Sequence, residues 1–373
     1  MKEVFILGGA RTPFAVWAKS KQDDGRPCGA LKTFDPFDLG AAALRAALER
    51  SGLSGESLDR VVFANTYHVG PHACYGARYV TLRAGLPSRI PGITVNMACG
   101  SGLLAVICVA QDIADGRAHL AAAAGADSPS LIPKNIFIPS FNDISCGKQI
   151  GLGVDDLARH YGISRQAQDR WALISHERAN KAKQEGRLAE EITAVGEARE
   201  DDAPLKNPSR EYFAALAPVY SDTGTITRGS SHAIVDGGSA LIFASNEGAQ
   251  KTKTAPLGRY VAGALAALDP DQMGYASIPA IRQLLENTKL AVKDIDLFEI
   301  NETFAAQIMI DIKELNIPED KINVLGGAIA IGHPFAATGP RQILSLLLQL
   351  KRRGLRRGLA SISIGGGQGL AAL

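Results

Sequence analysis

The stretch Ile93-Thr94-Val95-Asn96-Met97-Ala98-Cys99-Gly100-Ser101-Gly102-Leu103-Leu104-Ala105-Val106 decides how this chain is read. A short β-branched run predicts a strand over Ile93 to Asn96, and Cys99 to Gly102 predict a tight turn. An apolar helix then runs from Leu103 to Ala114, and a small-residue strand follows from Leu120 to Ala124. Outward from it, Val4 to Leu7 reads as a buried strand and Pro36 to Ser51 as an Ala/Leu-rich helix ended by Gly52. Arg60 to Ala64 is again β-rich, so strands and helices alternate and the fold class is α/β.

A comparable unit closes the chain. Ile322-Asn323-Val324 leads into Gly326-Gly327, a helix runs from about Thr338 to Arg353, and a strand from Leu359 to Ile364 ends in Gly365-Gly366-Gly367. Two half-chains that each set a glycine-rich turn before a buried helix and a small-residue strand point to a duplicated unit. The halves are expected over residues 1–128, completed by about 232–255, and over 256–373. Between them, residues 129–231 carry Pro133, Pro139, Gly151 and Gly153 and an amphipathic, charge-rich stretch from Ser164 to Gln184. This reads as an inserted loop domain, with Asp201 to Pro208 as a surface connection.

Composition bounds the function. The 373 residues are 46% hydrophobic and 21% charged, as in a soluble globular protein, and the net charge of +2 gives no field for nucleic acid or an anionic membrane. No apolar run reaches membrane-spanning length, and the opening Met1 to Leu7 is too short and too soon polar for a signal peptide, so a cytoplasmic protein is expected. The five cysteines are odd in number and form no CxxC pair. That speaks against a zinc site or a full disulfide framework and leaves room for a working thiol. The basic cluster Lys351 to Arg357 is read as charge compensation at a helix C-terminus.

Cys99 stands at a strand-to-helix turn, where free amides and the helix dipole favour thiolate. Its small neighbours Ala98, Gly100 and Gly102 would let a substrate carbonyl approach the backbone, and the Cys99 amide could donate to an oxyanion. The plain alternative is a buried cysteine, as expected for Cys108 on the apolar helix face. His333 ends the small and apolar run Gly326 to Gly332, so few neighbours compete for its proton; beside a cysteine it could take the thiol proton, and otherwise it is a satisfied core histidine. Asn301 in Asn301-Glu302-Thr303-Phe304-Ala305 could hold a water or cap a helix. Ser363 to Gly369 offers a strand end with free amides.

Taken together, Asn96 to Gly102, Asn301 to Ala305, Gly326 to Pro334 and Gly365 to Gly369 resemble the thiolase family in order and spacing. Gly9 to Pro13 and Gly224 to Gly237 extend the resemblance over nearly the whole chain. It implies a five-layered αβαβα core of two repeated halves, a loop domain that helps bind coenzyme A, and a homodimer or homotetramer. The implied substrates are acyl-CoA and CoA, with no permanently bound cofactor, no metal and no nucleic acid. The resemblance makes Cys99 the acyl-accepting nucleophile and His333 its base. His333 and a water held by Asn301 would form one oxyanion hole, and the amides of Cys99 and Gly365 the other. Substrate contacts are carried to Gln149, Ser231, His232, Met273 and Phe304.

Two departures stand out. Ser363 occupies the place of the family's second cysteine, which exchanges a proton with the α-carbon of the second acyl-CoA; an aliphatic alcohol does this less readily than a thiol of pKa near ~8.5. Gln149-Ile150-Gly151 replaces a His-Met-Gly segment, and His232 replaces a small serine near the pantetheine. Three readings follow: a thiolase, a CoA-dependent acyltransferase or thioesterase without carbon–carbon chemistry, and a non-catalytic acyl-CoA binding subunit.

Overall fold

The computed structural model describes residues 2–22, 25–250, 252 and 254–373; Met1, Asp23, Asp24, Lys251 and Lys253, which fall within the first expected half, lie outside the described residues. The first half runs β1 (Val4–Arg11), α1 (Pro36–Arg50), β2 (Arg60–Ala64), α2 (Gly76–Arg83), β3 (Gly92–Val95), α3 (Ser101–Ala114) and β4 (Leu120–Asp127). The chain then passes through α4 (Ile150–His160) and α5 (Arg165–Gln184) and returns as β5 (Val235–Ala244) and β6 (Gly258–Tyr260). The second half runs β7 (Gly263–Ala267), α6 (Ser277–Thr288), β8 (Leu297–Ile300), α7 (Ala305–Leu315), α8 (Phe335–Arg353), β9 (Gly358–Ile364) and β10 (Gln368–Ala372).

The larger sheet has the order β3-β2-β4-β5-β1-β6, parallel across its first three strands and antiparallel beyond. The smaller has the order β8-β9-β10-β7, again parallel then antiparallel, and a parallel bridge from Phe298 to Ile322 supplies its outer edge. Matching β1, β2, β3, β4 and β5 to β7, β8, Ile322, β9 and β10 reproduces one topology twice, which is the duplication read from the sequence. Only the Ile322 bridge stands where the first half has its strand β3. The Asn323 side chain takes over the next rung: its Oδ1 accepts from the Ile300 amide at 2.9 Å and its Nδ2 donates to the Ile300 carbonyl at 2.8 Å.

Three apolar cores define the layers. α1 and α2 cover one face of the first sheet, α3 and α8 fill the space between the sheets, and α6 and α7 cover the far face of the second. This is the five-layered αβαβα arrangement. The central helices touch backbone to backbone: a Cβ on Gly102 would stand 2.2 Å from the Ala336 carbonyl oxygen, and one on Gly339 2.1 Å from the Leu103 amide nitrogen. Gly102 therefore serves helix packing, not substrate approach as the sequence suggested. Gly100 does likewise, since a side chain there would meet Ile364.

α8 begins at Phe335 rather than near Thr338, because Asp127 at the end of β4 accepts the free Ala336 amide at 2.8 Å. Its last turn carries Lys351, Arg352 and Arg353. The inserted region packs on the second half: Trp171 of α5 is fully buried, and its Nε1 donates to Glu302 at 3.1 Å. Glu302 also accepts from Ser175, Asn323 and the Ile329 amide, so one carboxylate fastens three segments.

The stretch beginning at Asp201 is not a surface connection. Asp201 accepts both terminal nitrogens of the fully buried Arg11, at 2.7 and 2.8 Å, while Glu191 accepts Arg11 Nε at 2.9 Å. A run of acidic residues looks solvated in sequence, but a buried guanidinium needs paired carboxylates, and removing one leaves an uncompensated charge. Among the described residues no helix is long and apolar enough to cross a membrane.

Candidate active site

Cys99 sits one residue before Gly100, the N-cap of α3. The turn that presents it is held by its own side chains. Asn96 Oδ1 accepts the Ala98 amide at 2.9 Å, Ser101 Oγ accepts the Met97 amide at 2.8 Å and donates to the Ala98 carbonyl at 2.7 Å, and Thr66 Oγ1 donates to that carbonyl at 3.2 Å. Ala98 is thereby kept at φ 45°, a left-handed conformation that is strained for any residue but glycine. The Cys99 side chain packs on an aromatic cluster that includes Trp17, Phe137 and Phe335.

The amides of Gly365 and of Cys99 itself face the sulfur, yet burial outweighs them and pushes the thiol up to about 11, with Asp127 adding to the rise. The expected helix-stabilised thiolate is thus corrected to a protonated resting thiol. Cys99 stands outside the first turn, and desolvation exceeds what two amides return. Iodoacetamide labelling of Cys99, followed by peptide mass mapping, is therefore expected to rise steadily with pH to above 9. A plateau below pH 8 would mean that thiolate is already formed at rest.

His333 is buried, and its Nδ1 lies 2.6 Å from Thr338 Oγ1. The threonine hydroxyl donates to the Pro334 carbonyl at 3.1 Å, so it accepts from Nδ1–H and leaves Nε2 with a lone pair. Nε2 has no hydrogen-bond partner among the described residues. Burial, then the neighbouring His232 and Arg341, hold the imidazole well below its ordinary pKa, so it rests neutral and able to accept a proton. The buried Asn301 Oδ1 likewise has no partner, while its Nδ2 donates to Thr303 Oγ1 at 3.2 Å. An orphaned buried acceptor suits a bound water.

The segment Ser231 to Ala233 joins these parts. Ser231 bridges to Phe304, the His232 amide donates to the Thr303 carbonyl at 3.2 Å, and the Ala233 carbonyl accepts the His333 amide at 3.0 Å. The His232 ring stands edge-on to His333, with centroids 5.1 Å apart, and both rings meet Phe335. Through Phe335 the imidazoles thus touch the cluster on which Cys99 packs.

A cavity of about 440 Å³ opens beside this group, with Gln149, Ser231, His232 and Phe304 on its wall. Met273 is not on that wall; it is 2% exposed and packs behind Phe304. Gly365 has open space where a side chain would stand. Ser363 is fully buried off the cavity, and its oxygen accepts the Ser277 amide, the first of α6, at 3.1 Å. Sequence reasoning missed Thr338, Asp127 and Phe335. Only Thr338 left a signal, as a hydroxyl residue one helical turn beyond His333-Pro334.

A thiol presented on a strained turn, a neutral imidazole with a free lone pair, paired amides and an adjoining cavity are the parts of an acyl-transferring enzyme. The sequence description "Thiolase, N-terminal domain" matches residues 4–247 and "Thiolase, C-terminal domain" matches residues 254–373. A mitochondrial 3-ketoacyl-CoA thiolase of Bos taurus is 34% identical over 399 residues, covering 100% of this chain and 98% of its own length. A 3-ketoacyl-CoA thiolase of Bacillus subtilis is 35% identical over 396 residues, covering 100% and 99%. The crystal structure of human mitochondrial 3-ketoacyl-CoA thiolase in complex with CoA superposes with a TM-score of 0.93 at 32% identity, covering 100% of this chain and 97% of that one. The chain belongs to the thiolase family, and it is an acyltransferase.

Proposed function

We propose that the chain transfers acyl groups between coenzyme A thioesters through an acyl-enzyme on Cys99, in the manner of a 3-ketoacyl-CoA thiolase or acetyl-CoA acetyltransferase. His333 Nε2 takes the thiol proton as the sulfur attacks the thioester carbonyl. Coenzyme A leaves as its thiolate and takes a proton from solvent, and the imidazolium, with a water on Asn301, donates to the oxygen of the second substrate. The amides of Cys99 and Gly365 receive the first oxyanion. The observation that carries this reading is the free, buried Nε2 of a histidine whose other nitrogen is fixed by Thr338.

The coenzyme is proposed to lie in the cavity with Gln149, Ser231, His232 and Phe304, with Met273 supporting Phe304 from behind. Ser363 is read as a departure from the family pattern and is given no proton. The division into 1–128 with 232–255, 129–231 and 256–373 is supported by β5, which pairs with both β1 and β4. A homodimer or homotetramer is supported by the open edge of β3, where Ile93 is 48% exposed. Cytoplasmic location is supported by the five unpaired cysteines.

Incubation with acetyl-CoA and, separately, with acetoacetyl-CoA plus CoA tests the reading by intact mass and product analysis. An acylated Cys99 together with acetyl-CoA produced from acetoacetyl-CoA is the expected result. Acylation without that product would favour the acyltransferase or thioesterase reading, for which Ser363 is the motive. No acylation with either thioester would leave only a binding subunit.

A further inference from the structure

Making or breaking a carbon–carbon bond next to a thioester requires a base that removes a proton from the α-carbon and returns it in the reverse direction. Ser363 is poorly suited. Its oxygen is already an acceptor for the Ser277 amide, and an aliphatic alcohol is a weak acid and a weak base. A different group at the site has the required form. His232 stands on the cavity wall and edge-on to His333. Its backbone is clamped on both sides, by Thr303 through its own amide and by His333 through the Ala233 carbonyl. Its Nδ1 lies 3.4 Å from the Ala233 carbonyl oxygen, which makes Nδ1 the donor and leaves the lone pair on Nε2.

No protein group among the described residues bonds that Nε2. Nor is it among the atoms sealed from solvent without a partner, as His333 Nε2 is. It is therefore open to solvent, on a residue that lines the cavity. Ile234, on the same stretch, lines the cavity and packs in the aromatic cluster that Cys99 also joins, and the His232 ring itself meets Phe335 of that cluster.

Building on the acyl-transfer reading above, we propose that His232 is the base that exchanges the α-proton of the second acyl-CoA, in place of a thiol at position 363. The α C–H bond breaks toward Nε2, and its electron pair forms the enolate, whose oxygen lies against His333 and the Asn301 water. The enolate carbon then bonds the acyl carbon of the Cys99 thioester, and the sulfur leaves as thiolate. In thiolysis the same steps run backward and His232 returns the proton. Burial holds the ring neutral, down to about 4, which is the state a base must start from, and the enolate charge beside it raises its affinity for a proton as the proton arrives.

The test reads deuterium uptake into the acetyl group of acetyl-CoA in heavy water, next to acylation of Cys99 by intact mass. His232→Gln is expected to slow exchange at least about 100-fold, and at saturating acetyl-CoA at least about tenfold more than it slows acylation. Exchange slowed less than tenfold, or slowed in equal measure with acylation, overturns the proposal. Equal loss of exchange in Ser363→Ala also overturns it. In His232→Gly, added imidazole should restore exchange by about tenfold or more, and no restoration counts against it. A parent protein that is never acylated sinks the acyl-transfer reading and this assignment together; an acylated parent whose exchange ignores His232 sinks this assignment alone.

Discussion

Cys99→Ser is expected to form acyl-enzyme at least about 10³-fold more slowly than the parent when both are mixed with acetyl-CoA and followed by intact mass. The change replaces one atom, so the turn held by Asn96, Ser101 and Thr66 and the packing on Phe335 should persist. What is lost is nucleophilicity. A thiol pushed up to about 11 can still pass its proton to a neighbouring imidazole, whereas an aliphatic hydroxyl holds its proton far more tightly. Acylation of the serine variant at a rate near the parent's would move the nucleophile elsewhere. Unchanged CoA binding alongside lost acylation would confirm that chemistry, not fold, had been removed.

His333→Ala should lower acylation by about 10²-fold to 10⁴-fold, the range of a positioned acid–base group. Removing the ring takes away the proton acceptor at Nε2, and with it the imidazolium that would later donate to a substrate oxygen. The fold should survive, because Thr338 keeps its bond to Pro334 and the start of α8 remains tied to Asp127. Near-ultraviolet circular dichroism checks that point. A variant that folds and acylates within threefold of the parent would remove His333 from the mechanism.

Local patterns were legible in the sequence. The strand, turn and helix around Cys99 follow from β-branched residues, glycines and an apolar run that sit next to one another, and the repeat of that grammar near Gly326 betrayed the duplication. Motif order led to Cys99, His333, Asn301 and Gly365. Long-range pairings were not legible. Asp201 looks like a surface residue until Arg11 is placed against it, and Gly102 looks like room for substrate until α8 crosses it. At Ile322 the sheet edge is a single bridge because the Asn323 side chain replaces backbone there, which periodicity cannot foresee. The resting state of the thiol was also out of reach, since it depends on how completely aromatic rings from distant segments exclude water.

The twice-used topology has a consequence for the origin of the site. Cys99 immediately precedes the N-cap of α3, and His333 immediately precedes the N-cap of α8, the helix that fills the same place in the other half. The proposed nucleophile and the proposed base therefore hold one position of the repeated topology, used twice. Two copies of the first half alone would carry two thiols, and two copies of the second half two imidazoles. An unlike pair becomes available only once both copies share a chain and can diverge separately, so fusion of the halves is what makes an acid–base couple from this position attainable.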